Sequence, residues 1–487
     1  MTHIINQQRE AMQYENPFEF YSNHSKNGDS ASLLLESRTK NLAYGRQSII
    51  VPNVALRIEG KNEKFRLTAQ SETGEAILSL FEKEDFGYAA NVKKSAHCIE
   101  GEVPKGDIRN LTEAKRIRQP NASYVIRTVL DKFKGLEDSH LGLYGAFAFD
   151  FARYFENFGD IFSGHGEPDF LLFMPSTVIY FDDIKETGEI KKVFFNGKND
   201  GLEKNLEKSS FKPLPLQRFE DMSLGEYESK VVYLIDEIRK GRMMQCVLSR
   251  TEGLSLQKHP LESYKALRNI NPSPYSFYFS FGENQYLYGA SPEVHIKVDK
   301  GNIEIRPIAG TARRSTNALE DAMARIGLQT NQKELREHTM LVDLARSELY
   351  RICDAESVFV SDMFTIESYP NLYHLASGVR GKLRKGIDSL DALLTTIPAG
   401  TLSGAPKVEA MKAIEQLENS RRGFYGGAIG YLNFNGDCNT GIAIRSVFVN
   451  EGMSFMRAGA GVVAHSTPEG ETAEIQLKSE KAMKVLE

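Results

Sequence analysis

Tryptophan is absent from the 487 residues, and cysteine occurs only four times, at Cys98, Cys246, Cys353 and Cys438, with no CxxC pair among them. That scatter excludes a disulfide framework and a paired-cysteine zinc site, and it predicts a reducing, cytoplasmic setting. No run of about 18 apolar residues occurs, and MTHIINQQREAMQYENPFEF has neither the basic nor the apolar part of a signal peptide, so no membrane span or export is expected. Excess positive charge is missing too. Lys+Arg number 60 against 65 Asp+Glu, a net charge of −5, which leaves no field to hold nucleic acid or an anionic membrane. A small-molecule site is the better expectation for a chain with 41% hydrophobic and 26% charged residues.

What is present divides by texture. Residues 18–210 carry strand-like runs, SLLLES near Leu34 and LYGAFAFDFARYF near Phe147, and a hairpin pattern around Gly188. The stretch Lys208 to Met222, rich in Lys, Pro and Ser, reads as a linker to a second unit, residues 223–487. There Ser223 caps a helix whose Tyr227, Val231, Leu234, Ile235 and Ile238 recur at helical spacing until Gly241, and the strand QCVLSR follows. Long helices are predicted at Gln332–Cys353 and Gly404–Glu418. GFYGGAIGYLNF, the turn Asn435-Gly436, DCNTGIAIRSVFV and MSFMRAGAGVVA predict a three-strand meander. The fold class is therefore α+β, a sandwich of antiparallel sheets with helices, and not a doubly wound parallel sheet.

The chemistry-bearing residues begin with carboxylates. Glu334 and Glu337 share one helix face, as do Glu471, Glu474 and Lys478. If those helices meet, four carboxylates converge and need a cation, for which oxygen donors suggest Mg2+; otherwise they are two solvated faces. PIAGT at Pro307–Thr311, AGTLSGAPK at Ala399–Lys407 and AGAGVV at Ala458–Val463 are small-residue loops that let backbone N–H groups approach a ligand. Gly459-x-Gly461 is followed by His465-Ser-Thr-Pro where a dinucleotide fold needs a helix, which excludes a Rossmann site. Arg445, in a strand among Ile442, Ile444 and Val447, needs an anionic partner, either a structural carboxylate or a ligand. His374 is a core histidine or a functional one.

Taken in order, MQCVLSR, NPSPYSFYF, GASPE, RPIAGTARR, KELREHTMLVDLAR, YHLASGV, GTLSGAPK, YGGAIGY, IAIRS, AGAGVV and ETAEIQLK resemble the chorismate-utilising enzymes, most closely the component I type of anthranilate synthase. The resemblance is strong from Tyr227 to Glu480 and implies the family's large sandwich. It implies a reaction in which ammonia adds at C2 of chorismate, the C4 hydroxyl leaves, and pyruvate is eliminated. By it Glu337 and Glu474 are Mg2+ ligands, with Glu334 and Glu471 holding metal-bound water. Glu293 is the general acid for the C4 hydroxyl, His374 serves pyruvate loss, and Thr401, Thr311, Gly310 and Ala309 line the pocket. Arg445 and Tyr425 take the enolpyruvyl carboxylate, with the amides of Gly459 and Gly461 and the charge of Lys478.

Two positions separate branches of the family. Gln245 stands where isochorismate and salicylate synthases have a lysine base, and Ala309 stands where aminodeoxychorismate synthases carry a nucleophilic lysine, so direct amination is expected. Glu36, Ser37, Pro274 and Tyr275, from LLLES and NPSPY, match the family's tryptophan feedback pocket, which makes tryptophan a candidate inhibitor; GRQS at Gly45–Ser48 lies in the same region. Arg242, Ser276 and SELYR depart from the usual pattern. No cysteine sits in a nucleophile turn, so a separate glutamine amidotransferase subunit (component II) is expected in a hetero-oligomer. Release of aminodeoxyisochorismate without pyruvate loss, and a non-catalytic tryptophan-sensing relative, are the alternatives.

Overall fold

The computed structural model describes residues 5–25, 30–39, 46–108, 111–159, 164–202, 211–369 and 372–487. Gly45 and the first residues of the expected linker, 208–210, lie outside them. Two antiparallel sheets, of 12 and 13 strands, form the body. A single hydrophobic core contains residues of both, from Leu33, Ile50 and Phe279 of one to Leu143, Phe173 and Ile429 of the other. Each fully buried Phe or Leu contributes about 1.5–3 kcal/mol.

The stretches 18–210 and 223–487 contribute strands to both sheets. Ser32–Glu36 lies between Gln47–Val51 and Tyr275–Gly282, with Ser276 opposite Glu36. Gly142–Phe147 pairs with Ala428–Asn433. Central strands covered on both faces explain why SLLLE and GLYGAF are continuous apolar runs without alternation. The apolar run around Phe147 ends as a strand at that residue and continues as a 3-10 turn, Phe149–Tyr154.

Helices pack outside the sheets. In Leu224–Arg239 the Ser223 hydroxyl accepts from the Glu226 N–H at 3.2 Å, and the expected apolar residues are buried. Gln332–Ile352 is capped by Asn331, and Pro468–Leu486 by Thr467. The helix expected from Gly404 begins instead at Lys407 and ends at Leu417. Gly404 takes φ +137° and pairs as strand with Cys246, and Pro406 has no N–H to give a helix interior.

The meander differs more. DCNTGIAIRSVFV is not one strand: Cys438–Ile442 belongs to the 13-stranded sheet and Ser446–Asn450 to the 12-stranded one. Arg445, at φ +51°, occupies the break between them, not the interior of a strand. A left-handed residue ends the ladder and lets the chain change sheets. The chain makes a second such change between Gln285–Ser291 and Val294–Asp299, and Glu293 occupies that break.

Candidate active site

Both crossovers bring polar side chains to one place. Glu293 is only 4% exposed, its carbonyl oxygen accepts from the Ile442 N–H at 3.0 Å, and Thr401 lies beside its carboxyl on the helical turn Gly400–Ser403. Burial pushes the Glu293 carboxyl up to about 8, although Thr401, Lys478, Arg445 and the Ile308 N–H all favour its anion. It is therefore mostly protonated at neutral pH. One cavity of about 360 Å3 has Glu293 and Thr401 in its wall together with Leu341, Glu348 and Pro307.

A second cavity, about 320 Å3, is lined by His374, Arg445, Tyr369 and Lys481. His374 Nδ1 lies 2.9 Å from the Gly310 carbonyl oxygen and 3.2 Å from Thr311 Oγ1. A carbonyl can only accept, so Nδ1 carries the proton and Nε2 keeps its lone pair. Nε2 is buried without a hydrogen-bond partner. Burial pulls the imidazole down to about 4, helped by Arg445 and Lys478 and opposed by the Gly310 bond, so the ring is neutral. A bulge between Ala309 and Thr311, with Gly310 at φ +64°, turns that carbonyl toward His374. A Cβ on Gly310 would also lie 2.8 Å from Glu334 Oε2.

Of the two partners open to Arg445, the structural carboxylate is not used: its guanidinium makes no ion pair among the described residues. Burial lowers its affinity for a proton, and Tyr369 and Glu293 are the groups that counter this. Lys478 donates to the Gly459 carbonyl at 2.8 Å and pairs with Glu474 at 2.7 Å. Tyr425 is buried, and a Cβ on Gly459 would lie 2.9 Å from its hydroxyl; burial first, then the field of Glu418, raises that hydroxyl to about 12. A Cβ on Gly461 would lie 2.6 Å from Gln245 Nε2, and Gln245 Oε1 is buried without a partner. Glycine at 459 is thus required by the close approach of the Leu248 carbonyl, whereas at 461 only the movable end of Gln245 stands close.

The four glutamates are brought to one rim but not into a tight cluster. Glu334 is raised by burial and then by the charges of Glu337 and Glu474, and Glu471 by burial and Glu474. Glu337 Oε1 lies 3.2 Å from His465 Nε2. Among the described residues, no three His, Cys, Asp or Glu side chains stand as a ready metal cage. The donors are all oxygens and repel one another, which suits a hard divalent cation.

Away from this rim, Glu36 is held by Tyr264 and Arg268. Arg38 N donates to Ser273 O at 2.9 Å, joining the Glu36–Ser37 segment to the one that bears Pro274 and Tyr275. Pro274 is buried, whereas Tyr275 reaches across to Asn439 of the other sheet, its hydroxyl at 2.7 Å. Tyr369, whose ring stands edge-on to His374 at 5.4 Å, and Lys481 were missed by sequence reasoning. Lys481 follows Lys478 by three residues, one helical turn, and that spacing was the available signal.

Residues 74–484 match the chorismate binding enzyme family. The chain belongs to that family. Among its relatives, the anthranilate synthase component 1 of Buchnera aphidicola is 34% identical, with 98% of this chain and 96% of that one covered. The crystal structure of anthranilate synthase component I from Streptococcus pneumoniae superposes with a TM-score of 0.70 at 28% identity, over 91% of this chain and 92% of that one. The menaquinone-specific isochorismate synthase of Escherichia coli shares the fold, at a TM-score of 0.67 and 17% identity over 99% and 95% of the two chains.

Proposed function

We infer that this chorismate binding enzyme is the aminating component of an anthranilate synthase, converting chorismate and ammonia to anthranilate and pyruvate, the first step of tryptophan biosynthesis. The observation that carries the reading is the separation of acid from base: a Glu293 carboxyl that burial raises to about 8 and a His374 imidazole that burial lowers to about 4, with Arg445 lining the His374 cavity and near enough for its charge to act on Glu293.

Glu293 gives its proton to the departing C4 hydroxyl while ammonia bonds at C2. His374 Nε2, its partner nitrogen fixed by Gly310, then takes the C2 proton as the enolpyruvyl C–O bond breaks and the ring becomes aromatic. Arg445, Lys478 and the Tyr425 hydroxyl bind the enolpyruvyl carboxylate, with Gly459 and Gly461 of the strand Met453–Val462 beside it. Gln245 cannot deprotonate water and Ala309 offers no nucleophile, so neither hydration nor a covalent route competes.

Glu337 and Glu474 would hold Mg2+, with Glu334 and Glu471 around it. When bound, the ion supplies positive charge for the ring carboxylate. Ammonia comes from a glutamine amidotransferase subunit, component II, in a hetero-oligomer, and tryptophan acts at the Glu36–Ser37 pocket. The four cysteines are unpaired, in keeping with a cytoplasmic enzyme. The test is to incubate the purified chain with chorismate, ammonium and Mg2+ and analyse products by mass spectrometry. Anthranilate with pyruvate is expected; isochorismate, or an amino product at C4, would overturn the reading.

A further inference from the structure

We infer that Arg422 is a positioning residue that holds the Tyr425 ring, the Thr401 turn and the Gln245 strand in register around the substrate. The inference rests on the functional reading above for the roles of those three residues. Arg422 is 4% exposed, and its guanidinium is the meeting point of segments distant in sequence. Nη1 donates to the Leu402 carbonyl at 2.5 Å, next to Thr401. Nη2 donates to the Val247 carbonyl at 2.6 Å, two residues past Gln245. The guanidinium carbon Cζ lies 4.5 Å from the Phe149 ring centroid and 5.7 Å from that of Tyr425.

The charge is balanced without loss of those contacts. Glu418, four residues earlier at the end of the helix Lys407–Leu417, accepts from Nε at 2.9 Å and from Nη2 at 2.6 Å. Glu418 is itself fixed by the Ser249 N–H at 2.9 Å and by Arg457 Nη1 at 2.6 Å. Arg422 therefore cannot turn away from the site without breaking a fully buried ionic chain. The contacts need a planar fork with several donors. Lysine, a point charge on a flexible stem, can satisfy Glu418 but cannot also reach two carbonyls and stack on two rings.

The experiment compares Arg422→Lys, Arg422→Ala and wild type, with ammonium as nitrogen source. It measures melting temperature, and kcat and KM from chorismate consumption as well as from anthranilate. Arg422→Lys is expected to fold and to raise the chorismate KM about tenfold or more, because small misplacements of binding groups are costly. The KM for ammonia should move little. Millimolar guanidinium should restore part of the chorismate affinity of Arg422→Ala, and methylammonium should not. Phe149→Leu, which removes one stacking face and leaves every hydrogen bond of Arg422, should raise the same KM by a smaller factor even if both Arg422 variants fail to fold. A wild-type chorismate KM in folded Arg422→Lys or in Phe149→Leu overturns the inference. A wild-type chain that consumes chorismate but yields another product overturns the functional reading alone, and one that consumes none overturns both.

Discussion

Arg268 clasps Glu36 through two of its nitrogens, with Nε 2.9 Å from Oε2, and the Tyr264 hydroxyl donates to the same oxygen at 2.7 Å. The carboxylate that the resemblance assigns to a tryptophan ammonium is thus already countered from within the chain. Both partners are buried, so Arg268→Leu should cost about 3–5 kcal/mol by stranding Glu36, and adding Glu36→Gln should recover part of that in thermal melts. If the pocket takes tryptophan, millimolar tryptophan raises the melting temperature and inhibits wild type, and Ser37→Phe loses both responses with turnover intact. Tryptophan with no effect on either would remove the site.

The two titrating groups set a pH window. In the proposed roles, Glu293 as acid loses its proton as pH rises through about 8, and His374 as base gains one as pH falls through about 4. Rates expressed per unbound ammonia should be flat between those limits and fall on both sides. Stability follows by linkage. The folded Glu293 binds its proton more tightly than the ordinary carboxyl at 4.5, so between 4.5 and 8 the native state holds more protons and its stability declines as pH rises. His374 acts in the opposite direction: its folded value lies below 6.5, so stability declines as pH falls from 6.5 toward 4. Glu293→Gln should therefore gain melting temperature over wild type at pH 8 and much less at pH 5. An equal gain at both would contradict a raised carboxyl.

With Nδ1 committed to Gly310, His374 has one nitrogen available for proton removal. His374→Gln should leave ring amination largely intact and slow pyruvate loss by about 10²–10⁴-fold. A non-aromatised amino acid should then accumulate, seen by mass spectrometry as a product that retains the enolpyruvyl group. Unchanged anthranilate formation would assign the base elsewhere.

Some helix ends were legible because their causes are local, whereas the start expected at Gly404 was displaced to Lys407 by a strand pairing that is not. Ser223 caps its helix, as its place before the apolar repeat implied, and Glu334 and Glu337 lie in the helix expected there. Sheet changes were not. DCNTGIAIRSVFV is apolar on both sides of Arg445, so nothing in its hydrophobic pattern marks a residue at φ +51° or the break it makes. Glu418 and Arg422, four apart in LENSRRGF, carry no sequence signal of burial, and only the packing of Leu402, Val247 and Phe149 around Arg422 reveals a buried ion pair. The catalytic pairing of Glu293 with Arg445 came from ordered motifs matching a family, since the two crossovers that unite them are 152 residues apart in the chain.

Glu334 and Glu471 are raised by burial and then by neighbouring carboxylates, so the rim they share with Glu337 and Glu474 carries more negative charge than Lys478 and Lys333 offset. Turnover should require Mg2+. Glu337→Gln and Glu474→Gln should each cost at least about tenfold to a hundredfold, and the loss should lessen at high Mg2+ if affinity is what changed. Near wild-type turnover in EDTA would remove the ion from the reaction.

The source of nitrogen follows from the state of the thiols. Hydrolysis of glutamine needs a thiolate with a histidine base. Burial drives Cys246 up to about 12 and Cys353 up to about 11, and it raises Cys438 as well. Cys98 is the most accessible of the four, but burial raises it too, and the adjoining His97 directs Nδ1 to Glu75 at 2.8 Å. Successive side chains at a strand edge point to opposite faces, which separates that pair further. Burial thus works against a thiolate at all four positions. The chain alone should therefore make anthranilate from chorismate and ammonium but not from chorismate and glutamine, and glutamine should become a substrate only when an amidotransferase subunit is added. The assay supplies each nitrogen source in turn, with and without that subunit. Glutamine-dependent anthranilate from the purified chain, abolished by Cys98→Ser, would show that a nucleophile had been overlooked.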